Sequence, residues 1–196
     1  GSVPLWGDAD DARALPFGGQ DLNDHRYLTG LVGAAWNVTA LKEAFGGDPS
    51  EVVWTLGPAS VESLAPDGRP AKTPVSQSFP DGGFFVMRNA LDHVFIDCGR
   101  IGLGDRGGHG HNDCLSFEAS LDGVRLVSDC GAFVYTRSFE ERNRLRSTAY
   151  HNTPQVDGEE INRFKPGLLW DLEYDARPSV RRFETGPESD LFCGAH

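Results

Sequence analysis

The 196 residues carry a formal net charge of −11, with 39% hydrophobic side chains, 24 glycines and 12 prolines. That length supports one substantial core, or one domain and part of a second, without disulfide staples. The acidic balance argues against nucleic acid as a partner, no apolar run approaches a membrane span, and an anionic ligand would need a local cationic site.

Helical spacing comes first along the chain. Tyr27, Leu28, Leu31, Val32, Ala35 and Trp36 recur at intervals of three and four behind Asp24, which reads as an N-cap. TALKEAF reads as a second short helix, stopped by Gly46 and Gly47. A third is framed by Asp48 as N-cap, Pro49 at the first helical position and Glu51 three residues after the cap, and it closes at Gly57-Pro58. Residues 1–57 are therefore expected to be the last helices of a larger helical domain, with Trp36 and Trp54 in helix packing. The opening GSVPLW and the closing strand-like DLFCGAH both read as cuts from a longer chain.

Residues 58–80 are polar and broken by Pro66, Pro70, Pro74 and Pro80, as suits a linker. Over 81–196 the hydrophobic period becomes two. GFFVMR and HVFIDC bracket the loop NALD, and CLSFEASL and VRLVSD bracket Asp122-Gly123, a two-residue hairpin turn. NTPQVDG, GLLWDLEYDA, VRRFET and DLFCGA are further strand candidates. The fold class expected is mainly β, an antiparallel sandwich behind a few helices. Cys98, Cys114, Cys130 and Cys193 form no CxxC, and buried free thiols are expected.

The stretch GGHGHNDC carries the chemistry. In an extended chain His109 and His111 project to the same side, a ready pair of nitrogen ligands for zinc, with Asp129 and His151 as further donors. Spacing alone leaves a metal grip, a catalytic histidine beside a ligand, and a polar loop all open. The hairpin register sets Asp129 opposite Ser116, roughly 17 Å along the strand from His111 at about 3.3 Å per residue. The site therefore requires the glycines to bend the segment back.

The run GHGHNDCLSFEASLDGVRLVSDCGAFVY, followed by RNRLRSTAYHNTPQVDG, resembles the signature region of the heparinase II/III-like polysaccharide lyases, which include oligoalginate lyases. The resemblance spans roughly residues 75 to 196. It implies a helical α/α-toroid followed by an antiparallel β-sandwich, with residues 1–57 as the toroid remnant. It implies Zn2+ held by His111, Asp129 and His151. Two His and one Asp leave one tetrahedral position for water, which allows a structural or a substrate-orienting ion, and a mainly structural role is expected because elimination beside a carboxylate needs no zinc-bound hydroxide. It puts His109 at the active-site histidine.

The implied reaction is β-elimination on a uronic-acid-containing polysaccharide. A carboxylate is neutralised, a base takes the C5 proton, and an acid protonates the leaving glycosidic oxygen. In such enzymes the tyrosine acid/base and the neutralising Asn or His come mostly from the toroid, so this chain alone is expected to have little or no activity. The resemblance also implies a periplasmic or secreted protein. Heparan sulfate, alginate and other uronate glycans stand as candidate substrates.

Ser138 and Glu141 have capping-box spacing for a short helix. Arg142 and Arg146 then share one face, as a fork for carboxylate or sulfate or as a solvated face paired with Glu140 and Glu141. Asn112 and Asp113 are expected either to support the imidazoles or to cap the turn. The rival of another class is a non-catalytic, metal-stabilised carbohydrate-binding module. A metal-dependent hydrolase or oxygenase would need His109 as a direct ligand.

Overall fold

The computed structural model describes residues 3–9, 17, 21, 24–65 and 75–196. The chain divides into two compact units, one of Gly1–Val3 with Asp10–Thr73 and the other of Pro4–Ala9 with Pro74–His196.

The first unit holds α1 (Arg26–Ala35), α2 (Thr39–Ala44), α3 (Ser50–Leu56) and α4 (Ser60–Ser63). Asp24 and Asp48, expected as N-caps, each stand one residue before the observed caps, His25 and Pro49, neither of which makes a side-chain cap bond, and Pro49 precedes the first helical residue, Ser50. Each aspartate accepts from the backbone N–H two residues on, at 3.1 and 2.9 Å. Glu51 and Val52 face inward on α3. Trp54 lies about 200° around that helix from Val52, at about 100° per residue. It is therefore exposed, stacked on Phe17 at 5.3 Å, and not in the packing expected of it. Trp36 is exposed for a different reason: it is the residue after α1 ends and leaves the helical face.

The expected linker, 58–80, contributes α4 and also β1 (Gln77–Phe79), while residues 66–74 within it lie outside the described residues. β1 opens an antiparallel meander with β2 (Phe84–Arg88), β3 (His93–Asp97), β4 (Phe117–Leu121) and β5 (Val124–Val127), in the order β1-β2-β3-β4-β5. β6 (Ser179–Thr185) and β7 (Asp190–Ala195) form a separate hairpin. Phe85 joins the layers, its ring 5.2 Å from Phe183 and 5.0 Å from Phe192, beside Ile96 and Cys98. The architecture is mainly β, with antiparallel sheets and a few helices. Cys98 and Cys114 are buried free thiols as expected, but Cys130 and Cys193 are exposed.

The Asp122-Gly123 turn forms with φ of 50° and 72°, the left-handed pair that a two-residue hairpin needs. The simple register beyond it does not hold. Leu121 pairs with Val124 and Ser120 with Arg125, but a bulge shifts Ala119 onto Val127. The ladder ends there, and Asp129 N–H donates to the Glu118 carboxylate at 2.9 Å.

NTPQVDG and GLLWDLEYDA do not become strands. Only an isolated bridge, Phe164 to Leu172, forms among the described residues. Side chains replace the ladder here: the Asn162 side-chain oxygen accepts from the N–H groups of Asp175 and Ala176, at 3.0 and 2.9 Å. α5 (Phe139–Leu145) begins where its capping box sets it, Ser138 Oγ accepting from Glu141 N–H at 3.3 Å. Among the described residues no helix is long and apolar enough to cross a membrane.

Candidate metal centre and the histidine beside it

Two segments of the second unit, a glycine loop and an N-terminal strap, meet at the site. The glycine-rich segment 107–113 leaves β3 and folds back before β4. A Cβ on Gly110 would stand 2.4 Å from the Ile101 carbonyl oxygen, so only glycine lets the loop pass. The strap Pro4–Ala9 lies against this loop. Gly7 N–H donates to Asp113 Oδ2 at 2.8 Å, and Asp8 N–H donates to the His109 carbonyl at 2.9 Å. Gly7 has φ +55°, and a Cβ there would be 2.6 Å from that same carbonyl.

The bend separates the two histidines. The His111 side chain is 1% exposed and that of His109 67% exposed. His111 lies beside His151, with ring centroids 5.2 Å apart. One ligand atom from each of His111, Asp113 and His151 lies within 4.8 Å of the others, and all three residues are buried. His151 Nδ1 donates to Asp129 Oδ2 at 2.7 Å, and Asp129, Cys130 and His151 form a second such group. His151 is thus common to both groups: His111 shares one with it and Asp113, and Asp129 shares the other and is hydrogen-bonded to it, so His111 and Asp129 do not fall in one group.

Two buried nitrogens, His111 Nδ1 and His151 Nε2, find no hydrogen-bond partner among the described residues. Leaving such groups unsatisfied is costly, and a cation bound by both would satisfy them. Burial pushes the His151 pKa down, but the hydrogen bond to Asp129 and the charges of Asp113, Asp129 and Glu160 outweigh it, and the net shift is upward. The pocket is electrostatically prepared for positive charge.

Asp8, in the strap, has no counterpart among the sequence-based candidates. Its carboxylate is 2% exposed. It accepts from His109 Nδ1 and His111 Nε2, each at 2.9 Å, and from Arg142 Nη1 and Nη2 at 2.6 and 2.8 Å. Burial alone would raise its pKa, but the bonds from His111, Arg142 and His109 and the charge of Arg142 hold it well below the ordinary carboxylate range. No local pattern in WGDADD distinguishes this aspartate from its neighbours.

Arg142 and Arg146 do share a face, but that face points inward, which corrects their expected role in glycan binding. Both side chains are fully buried. Arg142 is taken up by Asp8 and lies 4.5 Å over Trp170. Arg146 donates to the carbonyls of Leu169, Gly107 and Trp170, clamping the glycine loop to 169–170. Burial and then the charge of Arg142 lower its pKa to about 10. Glu141 pairs with Arg144 instead. Asn112 neither supports an imidazole nor caps a turn: its amide donates to Glu160 at 2.6 Å and to the Asn162 carbonyl at 2.9 Å.

His109 remains at the rim, its ring 5.1 Å from Trp170 and 6.5 Å from Tyr135. A cleft of about 830 Å³ opens beside it, with Trp6, Phe84, Arg100, Tyr174, His109 and Asp113 among its walls. Aromatic faces, one arginine and an accessible imidazole share this lining with the carboxyl groups of Asp8, Asp81, Asp97 and Asp113.

Comparison with known proteins adds three findings. The family model described as heparinase II/III-like, C-terminal, matches residues 71–196. A heparin-sulfate lyase of Bacteroides stercoris is 28% identical over 123 residues, covering 58% of this chain and 18% of that protein. The heparan sulfate lyase HepC of Pedobacter heparinus superposes with a TM-score of 0.62 at 16% identity, over 98% of this chain and 25% of that one. A heparinase III structure gives 0.65 at 15% identity, over 98% and 26%. At these identities the two structures speak for the fold, and the chain spans about a quarter or less of each relative's length.

Proposed function

This chain belongs to the heparinase II/III-like family, and from that membership we propose that it forms part of a polysaccharide lyase that cleaves uronic-acid-containing glycans by β-elimination. Sulfated glycans of the heparin and heparan sulfate type are the first substrates to test, because the relatives are named for them. The observation that carries the reading is the division of His109 from His111, one exposed at a cleft and one buried against His151 and two carboxylates. His109 holds or moves a proton at Nε2, since Nδ1 is engaged by Asp8. A tyrosine and a carboxylate-neutralising group from elsewhere in the whole enzyme complete the chemistry. The 196-residue chain alone is expected to show little or no lyase activity. The reading carries with it export to the periplasm or the cell exterior.

His111, Asp129 and His151 would hold a zinc ion. When bound, zinc supplies a fixed cross-link between the HGH loop and the 129–151 region, and elimination beside a carboxylate has no need of a zinc-bound hydroxide. Asp129 Oδ2 and His151 Nδ1 are 2.7 Å apart. Two ligands of one tetrahedral ion at bonds of about 2.0 Å are about 3.3 Å apart, so Asp129 must draw back slightly to ligate. The two unsatisfied nitrogens favour a second arrangement, in which Asp113 is the carboxylate ligand and Asp129 orients His151.

Zinc content of the purified chain and of His111→Ala, Asp129→Asn and Asp113→Asn variants tests the site. One zinc per chain is expected, lost in His111→Ala. Retention in His111→Ala refutes the site, and the aspartate whose replacement releases zinc is the ligand. In the whole enzyme, His109→Ala should abolish the ultraviolet absorbance of unsaturated product while keeping zinc. Undiminished product would refute the role of His109.

A further inference from the structure

We infer that Asp8 is the positioning residue that divides the two histidines, by fixing a different tautomer in each. The inference rests on the reading of His109 as the proton-handling group and of His111 as a metal ligand.

An ionised carboxylate only accepts hydrogen bonds, through about four lone-pair sites. Asp8 uses them on four donors. Oδ1 takes His111 Nε2 and Arg142 Nη1, and Oδ2 takes His109 Nδ1 and Arg142 Nη2. Whichever imidazole nitrogen faces Asp8 must therefore carry the proton. In His109 that is Nδ1, which leaves the Nε2 lone pair for the cleft. In His111 it is Nε2, which leaves Nδ1, a nitrogen that stands buried and unsatisfied in a ring 5.2 Å from that of His151. One carboxylate thus turns His109 outward as a base and His111 inward as a ligand, although the sequence places them one glycine apart.

The arrangement is rigid on every side. The Arg142 side chain is 0% exposed and fixes both carboxylate oxygens in a bidentate fork. Asp8 N–H donates to the carbonyl of His109 itself, so backbone and side chain of the strap grip the same residue. Tyr135 donates its hydroxyl to the Ala9 carbonyl and so ties down the strap just beyond Asp8. A carboxylate that accepts from one ring nitrogen of an imidazole fixes its tautomer and leaves the other nitrogen free.

The test is long-range 15N–1H spectroscopy of the histidine side chains, resonances assigned with His109→Gln and His111→Gln. In the unsubstituted chain His109 is expected as the Nδ1–H tautomer and His111 as the Nε2–H tautomer. Asp8→Asn, whose amide cannot accept from all four donors, should convert His109 to a mixture and weaken zinc binding about 10- to 100-fold. In the whole enzyme the same substitution should lower kcat about 100-fold or more with KM within about threefold. His109 found as the Nε2–H form, or both tautomers unchanged in Asp8→Asn, overturns the inference. Should Asp8→Asn fail to fold, the spectrum of the unsubstituted chain alone decides. If the tautomers are as expected but His109→Ala keeps full kcat, the positioning by Asp8 stands and the proposed role of His109 falls.

Discussion

Arg142→Met probes the ion pair under the site, because methionine keeps an apolar stem in place and removes the guanidinium, with its charge and its bonds to Asp8. Arg142 contacts Asp8 at 2.6 and 2.8 Å, with side-chain exposures of 0% and 2%. Removing one partner of a buried pair strands the other charge, at a cost of about 3–5 kcal/mol. For a chain of this size each kcal/mol moves Tm by about 2–4 °C, so the melting point should fall by about 6–20 °C. Urea unfolding followed by tryptophan fluorescence gives the free energy directly. The double variant Asp8→Asn/Arg142→Met should cost clearly less than the two single changes added together, because no unpaired charge is then buried. Arg163 and Asp175 provide the control. Their separation is also 2.7 Å, but Arg163 is 73% exposed, so Arg163→Met should leave the midpoint within experimental error. If Arg142→Met costs no more than Arg163→Met, burial does not make this pair structural and the reasoning fails.

Two further outcomes follow from buried acids and thiols. Burial, and then the charge of Asp113, push the Asp97 pKa from 3.8 up to about 8. The folded chain then keeps a proton that the unfolded chain has released, so stability falls as pH rises from about 4 towards 8 and levels off beyond. Asp97→Asn keeps the acceptor for Gly99 N–H and should flatten that decline, measured as urea midpoints at about pH 5, 6.5 and 8 with chelator present; an unchanged slope would acquit Asp97. Although the residue is exposed overall, partial burial of its thiol, and then the charge of Asp129, raise Cys130 to about 11, which leaves about one thiolate in a thousand at pH 8. A thiol reagent should therefore label exposed Cys193 first, Cys130 slowly, and Cys98 and Cys114 only after unfolding; early labelling of either buried thiol would contradict the packing.

Features governed by neighbours in the chain were legible in the sequence. The Asp122-Gly123 turn, the alternation of HVFIDC and the capping box at Ser138 all involve residues within a few positions of each other. Each formed where its pattern put it. The bulge at Ala119 was not legible, because the extra residue is absorbed on β5 by a bond from Asp129 to the Glu118 side chain that no alternation records. Residues 152–178 misled for a related reason. Their apolar spacing mimics strands, but their backbone donors scatter: Asp175 and Ala176 donate to the Asn162 side chain, Arg163 to the Asp175 side chain, and Leu172 and Glu173 to the carbonyls of Arg106 and Arg163.

The site shows most sharply what periodicity can and cannot carry. Spacing gives an angle around an axis, and it was right that Arg142 and Arg146 share a face. It does not give the direction of that face, which is decided by whatever packs against it. Here the decisive group is Asp8, 134 residues away from Arg142, 101 from His109 and 103 from His111. The same distant carboxylate takes a different nitrogen from each of two histidines one glycine apart, Nδ1 of His109 and Nε2 of His111, although they are alike by every local measure. A reading restricted to GGHGHNDC must treat them as a pair. On the roles proposed above, the strap makes one of that pair a ligand and the other a proton carrier; what the motif presents depends on a residue outside it, Asp8, which bonds both imidazoles.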